Sequence, residues 1–218
     1  MKGKLITFEG PEGSGKSTHS KMLCKWLKQK GIPFVYTREP GGTRIGELIR
    51  KILLDPANCL ITDKCELFLY LAGRAQIVAE VVTPAVDSGK LVISDRFSDA
   101  TMAYQGYGNK LPLGLIKKLN NFATDGLQPD LTIILDINVK DGLGRSIKTK
   151  WPDRIEARTV SYHQRVRSGY RKLAKRYPKR IKLIKVKQDM KETQREVRKT
   201  AGKLLGVEEK QQAVSSRQ

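Results

Sequence analysis

The chain has 218 residues, room for one domain of ordinary size and tight for two. Hydrophobic residues make up 39% of it and charged residues 29%, which supports a packed core and excludes wholesale disorder. The formal charge is +20 at pH 7, unevenly spread: residues 1–139 carry 18 basic and 14 acidic side chains, residues 140–218 carry 24 and 8. No apolar run approaches the ~20 residues that cross a bilayer, and the opening MKGKLITFEG turns to Gly and Glu too soon for a secretory segment. Cys24, Cys59 and Cys65 form no CxxC pair. Neither a disulfide framework nor a zinc site is expected, and a reduced, cytoplasmic setting is.

Five short apolar segments read as strands: Leu5–Phe8, Phe34–Thr37, Leu91–Ser94, Leu131–Asp136 and Ile181–Val186. Helical spacing fills the gaps. Ser17–Lys30 aligns Met22, Leu23, Trp26 and Leu27, and Arg44–Leu53 aligns Ile45, Leu48, Ile49 and Ile52. Lys64–Ser88 is long, with Thr83-Pro84 expected to bend or divide it. Further helices are expected over 112–123, 139–149, 156–177 and 190–205. Strands alternating with helices predict an α/β fold of three layers, a five-stranded parallel sheet flanked by helices. The domain is expected over 1–206, with 207–218 a disordered polar tail.

The segment Gly10-Pro11-Glu12-Gly13-Ser14-Gly15-Lys16-Ser17 fits G-x-x-x-x-G-K-[ST] and lies between a strand and an amphipathic helix. The glycines let backbone N–H groups approach phosphates, and the helix N-terminus adds partial positive charge. Lys16 has the reach for β/γ oxygens, and the Ser17 hydroxyl is placed for Mg²⁺. A nucleoside triphosphate with Mg²⁺ is the expected ligand.

A kinase needs a second site for an acceptor. Arg38 and Arg96 follow the second and third strands, at the carboxyl ends where open α/β sheets bind ligands. Arg74 lies one turn after Tyr70 on the long helix, and Thr101, Tyr104 and Gln105 are spaced to share a helical face. Arginines suit a phosphate dianion, and ring, guanidinium and amide suit a planar base. Singly, Arg50 reads equally well as an exposed helix residue, Tyr70 as core and Tyr104 as a satisfied buried phenol. Their joint placement favours the acceptor site.

FEGPEGSGKST at 8–18, TREPGGT at 37–43, LYLAGR at 69–74, SDRFSDATMAYQG at 94–106, PDLTIILD at 129–136 and DRIE at 153–156 together resemble the thymidylate kinase family over about residues 3–205. The resemblance implies transfer of the ATP γ-phosphoryl to dTMP, with the ATP phosphates on residues 10–18, from Gly10 to Thr18. It further implies Arg38, Arg50, Arg74 and Arg96 at the acceptor phosphate and thymine edge, and Tyr70 stacked on the base where many members have Phe. Thr101, Tyr104 and Gln105 would face base or sugar, Glu12 would hold the acceptor, and Asp95 would organise Mg²⁺ with Ser17. A homodimer through helices that include part of 64–88 is implied as well.

One departure lies in the lid, expected at about 140–155. Ile147 and Thr149 stand where members without a P-loop arginine commonly carry arginine, and Lys148 and Lys150 bring the charge one residue away. Lys148, Lys150 and Arg145 are therefore the lid cations expected at the transferred phosphoryl, with Arg154 further on. Two other readings stay open: a P-loop kinase for a different monophosphate, and a nucleic-acid-binding ATPase suggested by the basic final third. The acceptor-site set argues against the second, so that third is expected to be a solvated basic face.

Overall fold

The computed structural model describes residues 3–147 and 152–207. Five strands form one sheet: β1 (Leu5–Glu9), β2 (Phe34–Arg38), β3 (Leu91–Asp95), β4 (Leu131–Asp136) and β5 (Ile181–Lys185). Their order is β2-β3-β1-β4-β5, and every pairing is parallel. The three central strands β3, β1 and β4 are buried along their whole length, which is why they read as nearly continuous apolar runs.

Side chains alternate across the sheet and assign its two faces. Ile6 and Phe8 pack with Leu23, Trp26 and Leu27 of α1 (Lys16–Gln29) and with Val197 and Ala201 of α9 (Met190–Leu205). On the other face Leu5 and Val92 meet Val78, Val82 and Phe97, while Ile134 meets Tyr162, Val166 and Tyr170 of α8 (Val160–Arg176). Three layers result, as the α/β reading requires.

The remaining helices are α2 (Arg44–Leu54), α3 (Asp63–Ile77), α4 (Thr83–Asp87), α5 (Ser98–Thr101), α6 (Leu113–Ala123) and α7 (Val139–Ile147). The long segment expected over 64–88 is divided, and the break precedes Pro84: a π turn over Val78–Val82 separates α3 from α4. Pro84 donates no backbone hydrogen bond and its ring crowds the carbonyl four residues back, so a widened turn just upstream relieves both. The helix expected from 156 starts at Val160 instead, because the Thr159 side chain accepts the Tyr162 N–H and caps it there. A second π turn, Met102–Gly108, follows the four-residue α5 and was not anticipated. The expected tail from 208 to 218 and residues 148–151 of the expected lid lie outside the described residues.

Candidate active site

The loop between β1 and α1 is shaped by backbone that side chains tolerate poorly. Gly13 has φ of 66°, and a Cβ there would lie 1.9 Å from the Gly142 carbonyl oxygen; a Cβ on Gly142 would lie 2.3 Å from the Glu12 carbonyl. The loop and α7 therefore meet backbone to backbone, with glycine required on both sides. At the loop's end Lys16 turns inward. Its Nζ donates to the Pro11 carbonyl at 2.8 Å and lies 4.0 Å from Glu12 Oε2. Burial, reinforced by the positive charge of Arg96, lowers the Lys16 ammonium from 10.5 to about 8. The Ser17 hydroxyl donates to Asp95 Oδ2, joining the first turn of α1 to the end of β3.

Beside Lys16 lies a charged cluster. Arg96 Nη2 donates to Glu12 Oε1 at 2.7 Å and to the Tyr104 hydroxyl at 3.0 Å; the Tyr104 hydroxyl donates to the same Glu12 oxygen at 2.7 Å. The guanidinium also lies 4.8 Å from the centre of the Tyr104 ring. Burial raises the Glu12 carboxyl, but Arg96, then Lys16, and the Tyr104 hydroxyl outweigh it and hold the group at about 2. Arg96 adopts a left-handed backbone with φ of 73°, uncommon outside glycine, while its N–H donates to Phe8 O and its carbonyl accepts the Ser94 hydroxyl. These bonds fix the turn that aims its side chain at the phosphate loop.

Glu9 and Tyr170 belong to this network and were missed in the sequence. Glu9, on the α8 side of β1, is fully buried. Its Oε1 accepts the Phe97 and Ala100 N–H groups, and its Oε2 accepts the Tyr170 hydroxyl at 2.7 Å. Burial pushes it from 4.5 up to about 7. The Tyr170 hydroxyl in turn accepts from Arg96 Nη1 at 3.3 Å. The signal was present: an acidic residue ends an otherwise apolar buried strand, and a tyrosine sits on the apolar stripe of α8 with Val166 and Leu173. Both are polar groups at core positions that need partners.

Other expected residues are placed differently. Arg74 is not free for an acceptor. It is only 1% exposed and makes five hydrogen bonds: two to Glu39 Oε2, and one each to Thr101 Oγ1, Asn120 Oδ1 and the Phe97 carbonyl. All five guanidinium N–H groups have protein partners, and the side chain ties the TREPGGT loop to α5 and α6. Thr101, Tyr104 and Gln105 do not share one face. The i→i+5 bonding of the π turn widens the spiral, so Thr101 meets Arg74, Tyr104 meets Glu12, and Gln105 donates to Glu66 Oε1 at 2.8 Å. Arg154 is also occupied and buried, its guanidinium donating to the Leu53 carbonyl and to Glu66 Oε2.

Tyr70 is half-buried on α3, and burial raises its phenol above the ordinary value. Arg50 is half-buried and donates to the Pro40 carbonyl at 2.8 Å, whereas Arg38 is exposed and pairs with Glu47 at 3.1 Å. Arg145 is exposed in the last turn of α7; Lys148 and Lys150 lie outside the described residues.

A parallel three-layer α/β sheet, a phosphate loop on its central strand and an arginine–carboxylate cluster beside the loop's lysine define a P-loop kinase. The family model for thymidylate kinase matches residues 8–197. A thymidylate kinase of Exiguobacterium sp. is 47% identical over 197 residues, covering 90% of this chain and 93% of that protein. One from Gloeobacter violaceus is 51% identical over 182 residues, covering 83% and 85%. The crystal structure of thymidylate kinase from Ehrlichia chaffeensis superposes with a TM-score of 0.76 at 33% identity, covering 92% of this chain and 99% of that one. The chain belongs to the thymidylate kinase family. It is an enzyme that phosphorylates dTMP to dTDP, with ATP as co-substrate.

Proposed function

We propose that Gly10, Pro11, Glu12, Gly13, Ser14, Gly15, Lys16, Ser17 and Thr18 hold the ATP phosphates, and that Glu12, Arg96 and Tyr104 hold dTMP facing them. Arg38, Arg50 and Tyr70 complete the acceptor side in this reading. The observation that carries it is the Glu12–Arg96–Tyr104 cluster, built on the phosphate loop itself with Lys16 4.0 Å from Glu12. A phosphoryl group passing between two nucleotides needs positive charge on both sides of its path and little covalent help. Lys16 supplies that charge on the donor side and Arg96 on the acceptor side. Glu12 stays ionised at neutral pH, so it accepts a sugar hydroxyl's hydrogen bond without competing for a proton.

Ser17 and Asp95 are the proposed Mg²⁺ ligands. The donor set is all oxygen and small, which suits an ion that keeps several waters and takes other ligands from substrate phosphates. When bound, the ion would neutralise charge on the β and γ oxygens. Arg145, Lys148 and Lys150 are the proposed lid cations over the transferred group, read out by kcat of their alanine variants. Thr101, Gln105 and Arg74 act one layer behind, holding the walls of the acceptor side.

Changing Tyr104 to Phe tests the acceptor assignment. The variant removes the hydroxyl between Arg96 and Glu12 without emptying the ring's place, and KM for dTMP is expected to rise at least fivefold with KM for ATP within twofold. Equal change in both, or change for ATP alone, would put Tyr104 on the wrong side. A homodimer is part of the proposal. Ile45, Leu48 and Ile52 of α2 and Phe68 of α3 leave large apolar side chains exposed on two helices that pack together. A cytoplasmic setting is supported by three unpaired cysteines, two of them exposed; among the described residues no helix is long and apolar enough to cross a membrane.

A further inference from the structure

The positive charge of the final third is sorted in space. Residues 160–207 carry 16 basic and three acidic side chains, and twelve of the basic ones are exposed. They lie on α8, β5, α9 and the segments that join them, at one lateral edge of the sheet. Among the described residues β5 pairs only with β4, so its outer edge has no neighbouring strand there. Lys175, in the last turn of α8, then Lys179, Lys182, Lys185, Lys187 and Lys191, in the first turn of α9, follow one another in the chain past this edge, all exposed. Lys182 shares the sheet face of Ile184 and Lys185 that of Ile181, so the charges flank the edge on both faces. Among the described residues none of the six ammonium groups has a carboxylate partner. Arginines of the same region behave oppositely: half-buried Arg167 pairs with Asp136 at 2.7 Å and half-buried Arg180 with Asp99 at 2.6 Å, and exposed Arg171 lies 3.6 Å from Asp136. Asp136 and Asp99 thus neutralise arginines, and the six lysines are left without carboxylate partners among the described residues.

We infer that this edge is a docking surface for a nucleic-acid duplex, gripped through its phosphate backbone. Lysine on an edge strand also blocks sheet-to-sheet aggregation, but Lys182 and Lys185 suffice for that, and the row continues onto two helices. From Ile181 to Lys187 the extended chain spans roughly 20 Å at about 3.3 Å per residue, the length of about six base pairs. Other polyanions fit less well. A membrane surface is held most firmly where a contiguous apolar face lies beside the cations, and between 175 and 191 the exposed large apolar side chains are two, Leu183 and Met190. A single strand requires stacking platforms, and the aromatic ring here, Tyr177, is half-buried with Arg176 and Arg180 over it at 5.7 and 5.5 Å. Point charges flanking one edge, with no exposed aromatic platform among them, fit sequence-independent contact with a duplex backbone. The surface lies two strands from β1 and its phosphate loop and shares no residue with the proposed kinase site.

The test is fluorescence anisotropy of labelled 20-base-pair DNA and RNA duplexes against the full chain between 50 and 200 mM salt. Binding at micromolar concentrations is expected at 50 mM, with log K falling against log salt at a slope of about −5 if each of six lysines meets a phosphate. The fourfold variant Lys179→Glu, Lys182→Glu, Lys185→Glu and Lys187→Glu should weaken binding at least tenfold with dTMP phosphorylation and melting temperature unchanged. Binding of one duplex type alone still supports the surface and identifies its source. No duplex binding at 50 mM, an undiminished fourfold variant, or equal affinity for a single strand, an acidic polypeptide or anionic phosphatidylglycerol vesicles would each overturn the inference.

Discussion

Glu9 shows how one residue sets a property of the whole site. Its carboxyl is fully buried between the Phe97 and Ala100 amides and the Tyr170 hydroxyl, and its folded value is about 7 against 4.5 when exposed. The folded state therefore binds a proton that the unfolded chain releases, so this group's contribution to stability is complete below about pH 4.5 and is lost as pH rises through about 7. Between pH 5 and 8 the loss is on the order of 2–3 kcal/mol. His19 and His163, lowered by burial, act in the opposite direction as pH rises through their range, but they are common to wild type and a Glu9→Gln variant. The amide preserves the acceptor for Phe97 and Ala100. Urea denaturation of both proteins at pH 5 and pH 8 should show the wild type losing more stability than the variant by that amount. Identical pH responses would mean that Glu9 does not take up the proton. Arg74 teaches a related lesson. Its position one turn from Tyr70 was legible, but its direction was not, because the Glu39, Thr101 and Asn120 that claim it are 35, 27 and 46 residues away in the chain.

Among elements, the contact between the phosphate loop and α7 links the proposed nucleotide site to the helix that leads into the proposed lid. Gly142 lies on α7 against the Glu12 carbonyl, whereas Gly144, two residues on, has nothing within 4 Å of a built Cβ. Gly142→Ala forces the loop or the helix to shift and should lower kcat/KM for ATP at least tenfold. Gly144→Ala should leave it within twofold and stabilise the protein by about 0.5–1 kcal/mol, the ordinary helix gain over glycine. Equal effects from the two would show that the close approach has no part in catalysis. The phosphate loop was legible because its glycines and lysine stand in fixed order between a strand and a helix. The strands were legible for the same kind of reason, as short apolar runs of the expected length. The π turns were not, since the spacing of Thr101, Tyr104 and Gln105 reads as one ordinary helical face, and only the tertiary demands of Tyr104 toward Glu12 and Gln105 toward Glu66 disclose the wider spiral.

For the whole molecule, the apolar stripe of α2 and Phe68 of α3 predicts self-association despite the +20 charge. Leu48 is 48% exposed, and Leu48→Glu would place a carboxylate within the proposed dimer face. Sedimentation at micromolar concentration should give a dimer for the wild type and a monomer for the variant. A wild-type monomer, or a variant dimer, would contradict that interface. Topology was legible at this scale because alternating strands and helices leave few arrangements of a parallel sheet. The sorting of charge onto the β5 edge was not, since sequence counts the basic residues without revealing which of them Asp136 and Asp99 neutralise.

The most direct measurement is formation of dTDP from dTMP and ATP by the purified chain, compared with its Lys16→Ala variant and with dUMP, dCMP and dGMP as alternative acceptors. The hydrogen bonds of Lys16 go to Pro11 and Ser14 within the phosphate loop itself, so its loss should leave the fold intact and remove charge compensation at the transferred phosphoryl. ATP-dependent dTDP is expected with dTMP as the preferred acceptor, and less than about a tenth of wild-type kcat in the variant. ATP consumption without dTDP, a preference for another monophosphate, or a Lys16→Ala variant that retains its kcat would contradict it.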